Sequence, residues 1–420
     1  MHIVMVHRGM PPERIGGTYS YIYELGRGLA ARGHRVDIIA STKASDVDTV
    51  TELEGMTVHS YVFRRLNPVY STLQHLANTY RIFRELHKAD PVDVLSIHES
   101  QLGYKLARSA LGRSVCQVCT FHAPAFLEFR LNTDWRINAE PSAIKRFAIR
   151  ASEPPLEYWQ RRFENGVLNA ADGIVVLSKY SRGHIENSFP SVDIGKVAIV
   201  PSGVDVDRFR PADDRRAVHE KLGLDPDALH LITVRNLSPR MGLENLVRAM
   251  PAILGSEAAS GPKIVLSVVG GGVLREPLER LAAELGVAHS VRFAGRLSDE
   301  DLTRYYQAAD LFVLPTEAME GFGISTVEAL STNVPVVGTP AGATPEILLR
   351  IDERLLTRDT SHEAIADAVI SWLSWRADDA GTTRYRDEVL AKYTWDDVAA
   401  AIEAFYADTD ERSKRHRGVE

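Results

Sequence analysis

A short apolar run, then a loop with glycine or proline, then an amphipathic stretch of helical period: this unit recurs along the chain and constrains the fold more than any other feature. HIVMVH is followed by the loop RGMPPERIGG, the helical stretch TYSYIYELGRGLAARG and a second apolar run, HRVDIIAS. Strand, loop, helix, strand is a βαβ unit, and its crossover makes the two strands parallel. DVLSIH, SVCQVCTF, GIVVLS and KVAIVPS continue the series. After PSGVDVDRFRP the pattern restarts. LHLITVR, KIVLSVVG, SVRFAG, LFVLPT and VPVVGTP now alternate with ENLVRAMPAIL, REPLERLAAELG, DEDLTRYYQAA and GISTVEALS. The expected fold class is α/β, with two Rossmann-like doubly wound parallel-sheet domains, 1–199 and 200–389, facing each other across a cleft. The highly charged tail ERSKRHRGVE is expected to fray.

Length and composition agree with two ordinary globular domains. The chain has 420 residues, of which 45% are hydrophobic and 25% charged, so it can bury large cores. A formal net charge of −7 argues against a nucleic-acid partner. Its two cysteines, Cys116 and Cys119, form a C-x-x-C pair inside an apolar run. A zinc site would need a second pair, so this one reads as strand core. No apolar run reaches the ~20 residues that span a bilayer, and MHIVMVHRGMPPE lacks the apolar core of a secretion signal. A cytoplasmic protein is expected.

In doubly wound sheets, ligands sit beyond the carboxyl ends of the strands. Arg235 ends LITVR, and Arg240 lies in the loop before the helix that starts near Glu244. Two guanidinium forks and a helix N-terminus would clamp a diphosphate; the alternative is two surface arginines on an ordinary loop. PTEAMEGFGISTVEAL follows another strand. Gly321 and Gly323 around Phe322 let the backbone approach a ligand, Glu320 precedes that turn, and Glu328 sits in the helix after it. The two carboxylates suit the two ends of a nucleotide sugar better than a hydrolytic pair; read singly, each is also an ordinary surface charge. Gly16 and Gly17 occupy the first strand-to-helix loop. GGG at 270–272 has the wrong spacing for a dinucleotide fingerprint. His122 directly follows a strand and is either a hydrogen-bonded structural residue or a substrate contact. The acidic pair of DVD at 205–207 reads as a turn, not a metal motif.

Taken in order, these segments resemble the family 4 glycosyltransferases, which have the GT-B architecture. The markers are the Gly16–Gly17 loop, YIYELGRGLAARGHRV, FHAP, VLSKYSRGHI, VPSGVDVDRF, RNLSPRMGLENL, VVGGG, FAGRLSDEDL, EGFGISTVEAL and GTPAGATPEIL. The resemblance covers nearly the whole chain. It implies that Glu320 binds the hydroxyls of the transferred sugar and Glu328 the nucleotide ribose. Phe322, Gly323 and Ile324 would give backbone contacts, Leu297 a base contact, and Gly17 a place beside the diphosphate. His122 would stand near the reacting sugar, and a C-terminal helix at about 390–415 would return to the first domain. The family's basic pair is an Arg and, just before Gly242, a Lys; here Met241 holds the lysine position. Arg240 is expected to supply that charge, as in a family branch with Arg-Met-Gly. Arg235 or Asn236 fits the Arg position.

The expected activity is metal-independent transfer of a sugar, with retention, from a nucleotide-diphosphate donor, GDP or UDP, to a small soluble acceptor. No cofactor and no metal is expected. Residues 124–162, rich in aromatics and arginines, leave a lipid acceptor or an anionic membrane as the alternative. A nicotinamide oxidoreductase predicts NAD binding at 270–272. A non-catalytic nucleotide-sugar binder predicts donor binding without turnover.

Overall fold

The computed structural model describes residues 1–11, 16–64, 67–140, 142–259, 261–379 and 381–418. By its contacts the chain divides into two compact units, 1–202 with 395–420, and 203–394.

The first unit runs β1 (His2–Val6), α1 (Gly17–Ala31), β2 (Arg35–Thr42), β3 (Thr49–Leu53), β4 (Met56–Val62), α2 (Pro68–Ala89), β5 (Val94–Ile97), α3 (Ser100–Arg108), β6 (Cys116–Phe121), α4 (Ala125–Ala139), α5 (Ala143–Ala170), β7 (Gly173–Val176), α6 (Lys179–Ser188) and β8 (Val197–Ile199). Its sheet has the order β3-β4-β2-β1-β5-β6-β7-β8. All pairings are parallel except β3 with β4. The middle strands are covered on both faces, which is why they read as unbroken apolar runs. Val4, Val6, Leu95, Ile97, Ile174 and Val176 are fully buried, together with Phe83, Leu102, Leu106 and Leu168 from the helices.

The second unit runs α7 (Arg215–Leu222), β9 (Leu229–Val234), α8 (Leu243–Leu254), β10 (Ile264–Val269), α9 (Arg275–Glu284), β11 (Val291–Gly295), α10 (Asp299–Ala308), β12 (Leu311–Leu314), α11 (Ile324–Ser331), β13 (Val336–Gly338), α12 (Thr344–Leu348), α13 (His362–Trp375) and α14 (Arg384–Lys392). The strand order β11-β10-β9-β12-β13 is fully parallel and doubly wound. Order reverses at β9, so loops after β9 and β12 flank the switch point.

The last helix, α15 (Trp395–Arg417), belongs to the first unit. It lies so close to α1 that a Cβ on Gly28 would meet the Ala399 Cβ at 2.9 Å. Its charged end, which composition suggested would fray, is helical as far as Arg417, and residues 419–420 lie outside the described residues. Asp410–Lys414 at 2.6 Å, Asp408–Arg412 at 3.1 Å and the Glu411–Arg415 pair all have i,i+4 spacing, the spacing that supports a helix. Arg417 also donates to the carbonyl of Arg113.

The β3–β4 hairpin was not visible in the apolar runs, because β3 is largely exposed. Its two-residue turn places Glu54 at φ 47° and Gly55 at φ 82°, the left-handed pair that tight hairpins require. Cys116 and Cys119 are both buried free thiols on β6. Three residues apart on a strand, they point to opposite faces. Burial pushes the Cys119 thiol up to about 12, so it stays protonated. In DVD, Asp205 Oδ1 accepts from the backbone N–H of Asp207 and Arg208, a local turn.

Candidate active site

The loops after β9, β12 and β13 interlock through backbone contacts. The Glu317 N–H donates to the Arg240 carbonyl at 3.0 Å, and the Ala343 N–H to the Glu320 carbonyl at 2.8 Å. Side chains are excluded where these loops touch. A Cβ on Gly242, at φ 67°, would fall 1.7 Å from the Pro315 carbonyl oxygen, and one on Gly342 would fall 2.2 Å from that of Glu320. Only glycine fits either position.

This frame holds Arg235 and Glu320 together. Arg235 Nη2 donates to Glu320 Oε2 at 2.5 Å and to Thr316 Oγ1 at 2.7 Å, and lies 2.9 Å from Met241 Sδ. Thr316 in turn donates to Glu320 Oε2 at 3.1 Å. The Arg235 and Glu320 side chains are 7% and 11% exposed. Arg235 Nε is buried without a hydrogen-bond partner among the described residues. An unfilled N–H in such a place is costly unless something arrives to accept it. Arg240 is half-buried and donates from Nη1 to the Met319 carbonyl at 3.1 Å. Met319 itself sits at φ 60°, a left-handed conformation that costs a non-glycine residue about 1 kcal/mol and tends to occur at ligand sites.

Beyond Glu320 the chain passes half-exposed Gly321 and buried Phe322, whose ring meets Tyr393 edge-on at 5.6 Å. Gly323, at φ 95°, and Ile324 start α11, which has no side-chain cap and no acidic residue in its first turn. Such an N-terminus favours an anion. Glu328, five residues into α11, is remote from the Arg235 cluster in its bonding: its Oε2 accepts from the Tyr306 hydroxyl at 2.6 Å. Burial raises its carboxyl to about 7, against the Tyr306 hydrogen bond and the Arg208 charge, which lower it. Leu297 is half-buried just after β11, next to Ser298, the cap of α10.

In the first unit, Gly16 precedes α1 at φ 147°, and Gly17 opens that helix, again with no side-chain cap or acidic first turn. Residues 12–15 of the same loop lie outside the described residues. His122 follows β6. Its Nε2 is 3.4 Å from His98 Nδ1, and its ring meets Tyr21 edge-on at 5.0 Å. His98 continues to Ser96 and then to Tyr406, at 3.0 and 2.7 Å. Burial first, and His7 second, lower His122 to about 3, so the imidazole is neutral near pH 7 and can donate or accept one hydrogen bond.

Residue pattern alone missed several polar groups here. Thr316 and Ser325 bond Arg235, and Tyr306 bonds Glu328; the first two lie inside PTEAMEGFGISTVEAL, where the sequence reading singles out only the glycines, Phe322, Ile324 and the carboxylates. Arg8 could have been found, since it follows β1 as Arg235 follows β9. It forms an ion pair with Glu99 and donates to Gln101 at 2.9 Å. Among the described residues no cluster of three or more His, Cys, Asp or Glu could hold a metal ion. Nor is any helix long and apolar enough to cross a membrane.

Each of the two α/β units thus places a glycine-led helix N-terminus at the carboxyl end of a strand. Residues 15–208 match the family model described as Glycosyltransferase Family 4, and residues 214–388 the model for Glycosyl transferases group 1. The chain belongs to the group 1/family 4 glycosyltransferases. It is 29% identical over 420 residues to D-inositol 3-phosphate glycosyltransferase 2 of Catenulispora acidiphila, covering 96% of this chain and 92% of that protein. It is 35% identical over 209 residues to the GDP-mannose-dependent alpha-(1-6)-phosphatidylinositol monomannoside mannosyltransferase of Mycolicibacterium smegmatis, covering 48% and 53%. Among solved structures, sucrose-phosphate synthase of Thermosynechococcus elongatus superposes with a TM-score of 0.77 at 22% identity, covering 97% and 98%. Anabaena HepE in complex with UDP-glucose gives 0.71 at 15% identity, covering 97% and 100%. At these identities the two structures speak for the fold alone.

Proposed function

We propose that this glycosyltransferase moves a sugar, with retention and without a metal, from a GDP- or UDP-linked donor to a hydroxyl of a small soluble acceptor of the inositol-phosphate class. Residues 203–394 carry the donor site, and the first unit carries the acceptor, in the cytoplasm. The observation that carries this reading is the Arg235–Glu320 contact with its unfilled Nε. Arg235 would offer that N–H to a diphosphate oxygen while keeping Glu320 oriented toward the hydroxyls of the transferred sugar. Arg240 and the N-terminus of α11 would add positive potential as charge grows on the departing diphosphate. Glu328 would take the ribose, Leu297 the base, and Phe322, Gly323 and Ile324 the sugar and phosphate. Gly16 and Gly17 would stand beside the diphosphate, and His122 beside the reacting sugar.

With retention, the acceptor hydroxyl attacks from the face the diphosphate leaves. Its oxygen bonds to the anomeric carbon as the carbon–phosphate-oxygen bond breaks, and the leaving phosphate oxygen takes its proton. The neutral His122 is a poor proton carrier near pH 7, which fits a step that asks no side chain to act as base. The acceptor class rests on the name of the Catenulispora relative, a D-inositol 3-phosphate glycosyltransferase; the Mycolicibacterium relative is named for a phosphatidylinositol monomannoside, a lipid, and stands for the alternative acceptor class.

The test is turnover of GDP- and UDP-sugars with inositol phosphate in Glu320→Gln and Arg240→Ala. Each is expected to lose a factor of about 10²–10³ in kcat while remaining folded by circular dichroism. Rates near wild type in both would remove the assignment.

A further inference from the structure

Over residues 143–162, before Val167 and Leu168 enter the core, helix α5 is turned the wrong way round for a helix of a globular domain. Ile144, Phe147, Ala151, Pro155, Tyr158 and Trp159 recur at helical spacing along one face, and all six are exposed. Ile144 is 82% exposed, Phe147 74%, Tyr158 61% and Trp159 52%. The opposite face is the one that is half-buried, and it carries Glu153, Glu157 and Gln160 beside a single apolar residue, Ile149. Glu157 is committed to the protein through its ion pair with Arg130 of α4. An ordinary surface helix hides its apolar stripe and shows its charges. Here the two acidic residues of the stretch 143–162 turn inward, while Lys145, Arg150 and Arg162 stay exposed around the apolar stripe. Elsewhere the chain is acidic, with a formal net charge of −7, so this basic face is a local concentration.

We propose that the exposed face of α5 docks the protein on an anionic lipid bilayer. An apolar stripe with Trp and Tyr, rimmed by Lys and Arg, matches a surface that is negative outside and apolar a few ångströms below. Tyr158 and Trp159 beside the basic rim suit the headgroup zone of a bilayer, and a nucleic acid would not use Ile144 and Phe147. No helix among the described residues can cross a membrane, so the contact is peripheral. Docking belongs to α5 and does not depend on which acceptor the enzyme uses.

The experiment is co-sedimentation of the full chain with vesicles of phosphatidylcholine alone and of phosphatidylcholine mixed with phosphatidylglycerol, at low and high salt. Binding is expected to the mixed vesicles, and to weaken as salt rises. Lys145→Gln with Arg150→Gln should lower the partition coefficient about 25-fold, each basic residue near an anionic surface being worth about fivefold. Ile144→Ser with Phe147→Ser should lower it at least about tenfold. These residues are exposed, so the variants should keep the wild-type melting temperature and its shift with GDP or UDP. That shift reports separately on the donor site. The proposal is overturned if mixed vesicles do not bind the wild type at low salt, or if the variants bind as well as it does. It is also overturned if light scattering shows a dimer that Phe147→Ser dissolves, which would assign the face to a second copy.

Discussion

Glu328 is held at a cost to the fold. Its carboxyl rises from 4.5 to about 7 because burial disfavours the charged form. Between those two values the folded chain holds a proton that the unfolded chain has lost. The sign of the linkage follows: Glu328 favours folding fully below about pH 4.5, and that contribution is lost as pH rises to about 7 and beyond. Glu164, which accepts from the N–H of Ala125 at the start of α4, rises to about 7 for the same reason and acts in the same window. A neutral amide at 328 would keep the hydrogen bond from Tyr306 and remove the buried charge. Glu328→Gln should therefore raise the melting temperature at pH 8 by a few degrees, with the gain vanishing near pH 4. On the role proposed for Glu328 at the ribose, nucleotide binding should weaken as well. Calorimetry at the two pH values reads the first effect, and an unchanged melting temperature at pH 8 would contradict it. At this scale the sequence was readable where a residue stands at a strand's end, as Arg235 and Glu320 do. Tyr306 and Thr316 were not readable, because only tertiary folding sets them against Glu328 and Arg235.

The elements that hold the site are three loops with no room between them. Gly242 is the clearest case: it is the N-cap of α8, it lies at φ 67°, and a Cβ there would collide with the backbone of Pro315. Gly242→Ala must push the β9 and β12 loops apart, and with them Arg235, Arg240 and Glu320. We expect a loss of more than about 2 kcal/mol of stability and of most nucleoside-diphosphate affinity. Far-UV circular dichroism, urea unfolding and titration with GDP and UDP read the three quantities. Wild-type affinity in the folded variant would show that the loops do not form the site. The buried strands were legible, since a parallel strand covered on both faces is an apolar run bounded by turn residues. The β3–β4 hairpin was not, because one of its strands is polar and exposed. That the charged tail is helical to Arg417 was not legible from composition, which says nothing of spacing; it is the i,i+4 spacing of its charges that suits a helix.

Over the whole molecule, chain order and spatial order part company at the end. The chain leaves the second unit at Thr394, and α15 then belongs to the first. Glu403 bonds Arg32 and His34, and the buried Tyr406 hydroxyl reaches Ser96. Apolar periodicity identifies such a helix but not the surface it will cover, which depends on complementary gaps such as the one above Gly28. The central claim concerns the other unit, where positive groups and a helix N-terminus at the Arg235–Glu320 pair are held to receive a nucleoside diphosphate without a metal. A thermal-shift series with GDP, UDP, ADP, TDP and NAD, each at saturating concentration in the presence of a chelator, tests it most directly. A ligand at 100 times its Kd stabilises the folded state by about 2.7 kcal/mol, enough to move the melting temperature visibly. Stabilisation by GDP or UDP, and its loss in Arg235→Lys, is the predicted result. No shift with any diphosphate, or a shift with NAD alone, would contradict the account.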